Sequence, residues 1–122
     1  MATITVEGNL TDDLSLSFAQ NEKSTAYARG RLVENHRQKN AAGDWEDKRG
    51  IGYNFTLFGK IAENAAESLS KGDRVIVTGE LEPNDYVDGD GNDIESSRIV
   101  VSSISPSLRY ATVSITKNPK AS

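Results

Sequence analysis

What constrains this chain most is where its residue alternation stops. Apolar and polar side chains alternate in separate short runs, and a single segment, Lys60 to Leu69, changes to helical spacing, with Ile61, Ala65 and Leu69 on one stripe and Ala62 and Ala66 beside them. Before it, Thr3 to Phe18 alternates in two stretches, Ile4/Val6 and Leu14/Leu16/Phe18. The breaks at Gly8-Asn9 and Asp12-Asp13 predict one long strand with a bend or bulge. Asn21 and Glu22 predict a turn. Thr25 to Glu34 is a second strand, with Ala26, Ala28, Gly30 and Leu32 on one face and Tyr27, Arg29, Arg31 and Val33 on the other. Lys39 to Gly50 reads as a polar hairpin loop carrying an exposed Trp45, and Ile51 to Phe58 as a third strand.

Gly59 breaks that strand, and Lys71-Gly72-Asp73 stops the helix with the glycine expected near a C-terminus. Arg74 to Leu81 predicts a fourth strand on Val75, Val77, Gly79 and Leu81. Pro83 to Val87 and Ile94 to Ser102 flank the turn sequence Asp88-Gly89-Asp90-Gly91-Asn92 as a hairpin. Leu108 to Ile115 predicts a further strand beyond Pro106, and Thr116 to Ser122 a frayed tail. A mainly β chain of five strands, with one short helix between the third and the fourth, has the element order of an OB-fold, a Greek-key barrel used for oligonucleotides and oligosaccharides. A length of 122 residues fits one such domain. It is expected over residues 1–107, with a C-terminal extension over 108–122.

Composition narrows the chemistry. Cysteine is absent, which excludes disulfides and thiolate metal sites and is compatible with a reducing cytoplasm. His36 is the one histidine, too few for a His-rich zinc site. No run is apolar enough for a membrane span, and alternation from Thr3 onward leaves no stretch resembling a signal peptide. The net charge of −4 opposes a nucleic-acid partner at first sight, but the charge is polarised. Lys23 to Lys60 holds eight basic residues (Lys23, Arg29, Arg31, Arg37, Lys39, Lys48, Arg49 and Lys60) against four acidic ones, whereas Glu80 to Glu95 holds seven acidic residues and no basic one.

Four blocks in register resemble the family of bacterial single-stranded DNA-binding proteins. Val6-Glu7-Gly8-Asn9-Leu10 looks like its first strand. Leu57-Phe58-Gly59-Lys60, with Ile61-Ala62-Glu63 and Leu69-Ser70-Lys71-Gly72, looks like its third strand, helix and helix stop. Val75 to Leu81 resembles the fourth strand, and Pro106-Ser107-Leu108-Arg109-Tyr110-Ala111-Thr112 is similar to the domain end of actinobacterial members. The resemblance spans residues 3–115. It implies a cytoplasmic, nucleoid-associated protein that coats and protects single-stranded DNA in replication, recombination or repair, without cofactor, metal or small-molecule substrate.

Such binding needs aromatic faces on which bases stack, beside cations that follow the phosphates. Phe58 alone reads as a core residue, but the resemblance makes it the stacking phenylalanine. Tyr86 falls where the family places a hairpin aromatic, usually Trp. Trp45 has no local core, so either base stacking or a subunit contact accounts for it. His36 and Gly52 stand where the family has tryptophans. His36 reads as a stacking or phosphate-contacting residue or as a merely exposed one, and Tyr53 and Phe55 are candidates to replace the lost platforms. Among cations, Arg29 and Arg31 share a face with Tyr27, Arg37 and Lys39 continue into the loop, and Lys60 and Lys71 match basic positions of the family. Lys48, Arg49 and Arg74 are weaker candidates.

The resemblance further implies a homotetramer, with Tyr53 near a dimer interface and the segment holding Tyr110 as a strand that clasps a neighbouring subunit. The ending Thr116 to Ser122 is short and basic, unlike the acidic tip by which family members recruit proteins. Asp88, Asp90 and Asn92 share the first spacings of a calcium loop. Asp93 stands where that loop needs glycine and Ile99 where it needs glutamate, so an acidic solvated hairpin is the better reading. The competing function is an OB-fold adaptor for RNA or a protein, favoured by the net acidity and the missing tryptophans. An enzyme finds no support, since no nucleophile–base signature and no phosphate loop is present.

Overall fold

A computed structural model describes residues 2–119, except for the side chains of residues 35–38 and 47–49. Its strands are β1 (Ala2–Leu10), β2 (Ser15–Phe18), β3 (Ala26–Lys39), β4 (Trp45–Phe58), β5 (Arg74–Pro83), β6 (Tyr86–Val87), β7 (Asp93–Ile94) and β8 (Ser97–Pro106), with one helix, α1 (Lys60–Ser68), between β4 and β5. In space the order is β1-β5-β8-β4-β3, and β3 returns to β1 through Asn9↔Val33 and Leu10↔Leu32. The five long strands therefore close into a barrel, with β4 and β8 as a parallel pair. This is the expected OB-fold.

Closure has a steric requirement at Gly8. A Cβ there would lie 2.8 Å from the Val33 carbonyl carbon, so only glycine lets β1 approach β3 this closely. Inside, strand alternation delivers Val6, Leu10, Ala28, Leu32, Phe55, Leu57, Val75, Val77, Ile99 and Val101 to one core. Helix α1 buries Ala62 and Ala65, and Leu69 just after it is buried too. These small residues let the helix lie close against the barrel.

Three expectations change. The long first strand is two strands, because Thr11 donates its N–H to the Arg31 carbonyl at 3.0 Å and Asp13 accepts the Lys71 N–H at 2.8 Å, both diverting the chain between β1 and β2. The polar stretch after Lys39 is mostly strand. β3 and β4 pair out to Lys39↔Trp45, and only residues 40–44 turn. There Asn40 Oδ1 accepts the N–H groups of Ala42 at 2.9 Å and Asp44 at 3.0 Å, an Asx turn that polar composition disguised as loop. Third, residues 108–115 form no strand. Ser107 is fixed by its N–H to the Arg74 carbonyl at 2.8 Å and its hydroxyl to Glu7 at 3.1 Å, but beyond it no strand of this chain pairs with the segment. Leu108, Tyr110, Val113 and Ile115 stay exposed.

Candidate nucleic-acid interface

The β3–β4 ladder sorts its residues into two faces. Ala26, Ala28 and Leu32 enter the core, so the intervening Tyr27, Arg29 and Arg31 face outward. Register then sets Tyr27 opposite Phe58, Arg29 opposite Thr56 and Arg31 opposite Asn54. Phe58 is 47% exposed, whereas Phe55, three residues earlier and on the other face, is 1% exposed. Phe55 is thus a core residue and cannot replace a lost stacking platform. Tyr53 is half-buried and packs against the same core.

The cations lie close to the aromatic rings. The Arg29 guanidinium sits 5.6 Å from the Tyr27 ring centre, and Arg31 Nη1 donates to Asn54 Oδ1 at 3.0 Å. Among the described residues no carboxylate pairs with Arg29 or Arg31. A further cation joins them from β8. With Ile99 and Val101 buried, Arg98 points outward, 5.9 Å from the centre of the Phe58 ring. Glu82 on β5 holds it through Nε at 2.8 Å and Nη2 at 2.7 Å. Arg29, Asn54, Thr56, Asn84 and Arg98 line a cavity of about 270 Å³ on this face.

Sequence reasoning missed Arg98 and gave Tyr27 no role in binding. Alternation on β8 is enough to turn Arg98 outward. Its position beside Phe58 follows only from the pairing of β8 with β4, which carries no local signal.

The remaining candidates are dispersed. Lys39 and the 62% exposed Trp45 face each other at the tip of the β3–β4 arm, with Lys39 Nζ 6.0 Å from the indole. Lys60 opens α1 just past Phe58 and makes only a loose 3.9 Å pair with Glu63. Lys71 lies in the turn between α1 and β5, where its N–H donates to Asp13. The side chains of His36 and Arg37 lie outside the described residues. Tyr110 is 78% exposed and lies under Arg74, at 5.7 Å.

Tyr86 is exposed on the β6–β7 hairpin, opposite Ile94. The hairpin's acids serve its own turn. The Asp88 carboxylate accepts the N–H groups of Asn92 and Asp90, each at 2.9 Å, and these bonds hold its pKa below the usual carboxylate value. Asp85 accepts the Ser96 N–H at 3.0 Å. Five acidic residues, Asp85, Asp88, Asp90, Asp93 and Glu95, thus lie on and beside this hairpin.

Comparison with known proteins identifies the family. Residues 1–107 match the single-strand binding protein family. A single-stranded DNA-binding protein of Mycolicibacterium smegmatis is 37% identical over 116 residues, covering 94% of this chain and 69% of the relative. One from Mycobacterium leprae is 34% identical over 119 residues, covering 94% and 68%. The crystal structure of a small single-stranded DNA-binding protein from Streptomyces coelicolor superposes with a TM-score of 0.74 at 24% identity, over 90% of this chain and 97% of that one. The barrel, its residue pattern and these relatives agree, and the chain belongs to the single-strand binding protein family.

Proposed function

We propose that this chain binds single-stranded DNA without reading its sequence and protects it during replication, recombination or repair. The observation that carries the reading is the pairing of Tyr27 with Phe58 on a face that also holds Arg29, Arg31 and Arg98. Every base has a π-face, so aromatic rings accept bases of any sequence, while guanidinium groups follow the phosphates. In OB-folds the face made by the second and third barrel strands, here β3 and β4, is the one that takes oligonucleotides. Phe58, Arg29 and Arg31 form the centre of the proposed path, which runs along the arm to Lys39 and Trp45. Lys60, Lys71, Tyr86, His36 and Arg37 are proposed as contributors at its margins.

The chain is a binder and not an enzyme. The adaptor reading is not favoured, because the family that the chain belongs to and its relatives are single-stranded DNA-binding proteins. Titration with poly(dT), followed by Trp45 fluorescence, tests the function directly. Tight binding at low salt that weakens as salt rises, with little affinity for duplex, is expected. Absence of binding to poly(dT) at low salt, with retention of RNA or a protein, would overturn it.

A homotetramer completes the reading, since one barrel offers few stacking sites and linked barrels gain effective concentration. The barrel over 1–107 is the proposed binding domain. The exposed apolar residues of 108–119 are proposed to clasp a neighbouring subunit, with Tyr53 and Tyr110 at subunit contacts. Native mass measurement is expected to give four chains, and removal of residues 108–122 to lower that number; a monomer at binding concentrations would overturn the assembly. No helix among the described residues is long and apolar enough to cross a membrane, and the reading assigns the chain to the nucleoid.

A further inference from the structure

The contact between Arg98 and Glu82 bears on how tightly the face binds. Among the described residues, Arg98 is the one of Arg29, Arg31 and Arg98 that a carboxylate engages. Nε donates to Glu82 Oε1 at 2.8 Å, Nη2 stands 2.7 Å from the same oxygen in an ion pair, and both side chains are only partly exposed, at 28% and 29%. At the same time the guanidinium stands over the Phe58 ring, at 5.9 Å from its centre, and borders the cavity shared with Arg29, Asn54 and Thr56. A carboxylate that pairs with a guanidinium in this way occupies donors that a phosphate would also use. A base that stacks on Phe58 from the side of Arg98 must also move that group, because the gap is too narrow to hold a base between them.

We propose that Arg98 is a strand-contacting residue and that Glu82 restrains it: on binding, a DNA phosphate takes the guanidinium over from Glu82. This rests on the proposed binding path through Phe58. Glu82 then acts as an internal stand-in for phosphate. It keeps Arg98 ordered in the free protein and lowers the affinity of the bound state, so the ion pair sets how readily the protein releases its strand.

The test compares Glu82→Gln with Glu80→Gln in poly(dT) titrations over a range of salt. Both variants remove one negative charge from β5, but only the first frees Arg98. Glu82→Gln is expected to tighten binding several-fold more than Glu80→Gln, and to steepen the log–log salt slope by roughly 0.7, the amount for one added phosphate contact on a single strand. In an Arg98→Gln background, itself a weaker binder, the extra gain from Glu82→Gln is expected to vanish. Thermal melting of each variant establishes that the fold persists. Equal effects of the two β5 variants, or a gain that survives Arg98→Gln, would overturn the inference. Loss of poly(dT) binding by the unaltered protein would instead overturn the path on which it rests.

Discussion

The guanidinium of Arg31 lies across Gly52. A Cβ on that glycine would stand 2.6 Å from Arg31 Cζ and 3.2 Å from Nε, so Arg31 occupies the space that a side chain at position 52 would take. The arginine is held there by Asn54, at 3.0 Å. Gly52→Ala is expected to push the guanidinium aside at little structural cost, because the displaced group is the end of a flexible side chain. Stability should change by less than about 1 kcal/mol, while affinity for poly(dT) falls. A melting curve and a titration check both, and unchanged affinity would show that the seat of Arg31 does not matter for binding.

Phe58 and Phe55 should part company when truncated. Phe58→Ala removes a half-exposed ring, so the domain stays folded while binding loses about 1–3 kcal/mol, the value of one base–aromatic stack. Phe55→Ala empties a buried core site and should cost about 3–5 kcal/mol of stability. Denaturant titration beside DNA titration separates the two.

Replacing Arg29 and Arg31 together by glutamine is expected to flatten the salt dependence. With roughly 0.7 in log–log slope per phosphate contact on a single strand, losing both should reduce the slope by about 1.4. A slope identical to that of the unaltered protein would remove both arginines from the phosphate path.

Trp45 is the single tryptophan and stands exposed at the tip of the β3–β4 arm. Its fluorescence is therefore expected to report on the arm alone, and to be quenched by poly(dT) as bases reach it. Binding measured by another probe without any change in Trp45 emission would place the arm outside the path.

Glu7 provides a pH signature. Its carboxylate accepts from Arg74 Nε and from the Ser107 hydroxyl, and these bonds, that to Arg74 foremost, lower its pKa in the folded chain. A lowered folded pKa means that the stabilisation is complete above the unfolded value and is lost as pH falls through the folded one. Melting temperatures should therefore drop on acidification below the usual glutamate range. Glu7→Gln is expected to start lower and to show a shallower acid decline, read by thermal melts at several pH values.

Much of the site was legible in the residues, and the remainder was hidden for identifiable reasons. Tyr27, Arg29 and Arg31 could be assigned to one face because alternation within a strand depends on nothing beyond the strand. Residues 45–50 have a loop-like composition and are nonetheless strand, because pairing with β3, and not apolar content, keeps them extended. Residues 108–115 form no strand within this chain, because alternation describes a side-chain pattern and does not supply the partner whose backbone must accept the hydrogen bonds.

By itself the sequence determined the order of elements, the composition of the core, the family, and which residues of each strand turn outward. These follow from period, from glycine breaks and from the burial of apolar side chains, all local properties. Tertiary structure alone decided what meets on the outer face. Tyr27 stands opposite Phe58, Arg31 fills the space over Gly52, and Arg98 reaches the Phe58 ring from β8 while Glu82 holds it from β5. Each of these depends on register between strands distant in the chain, and closing the barrel requires one fixed stagger of that register.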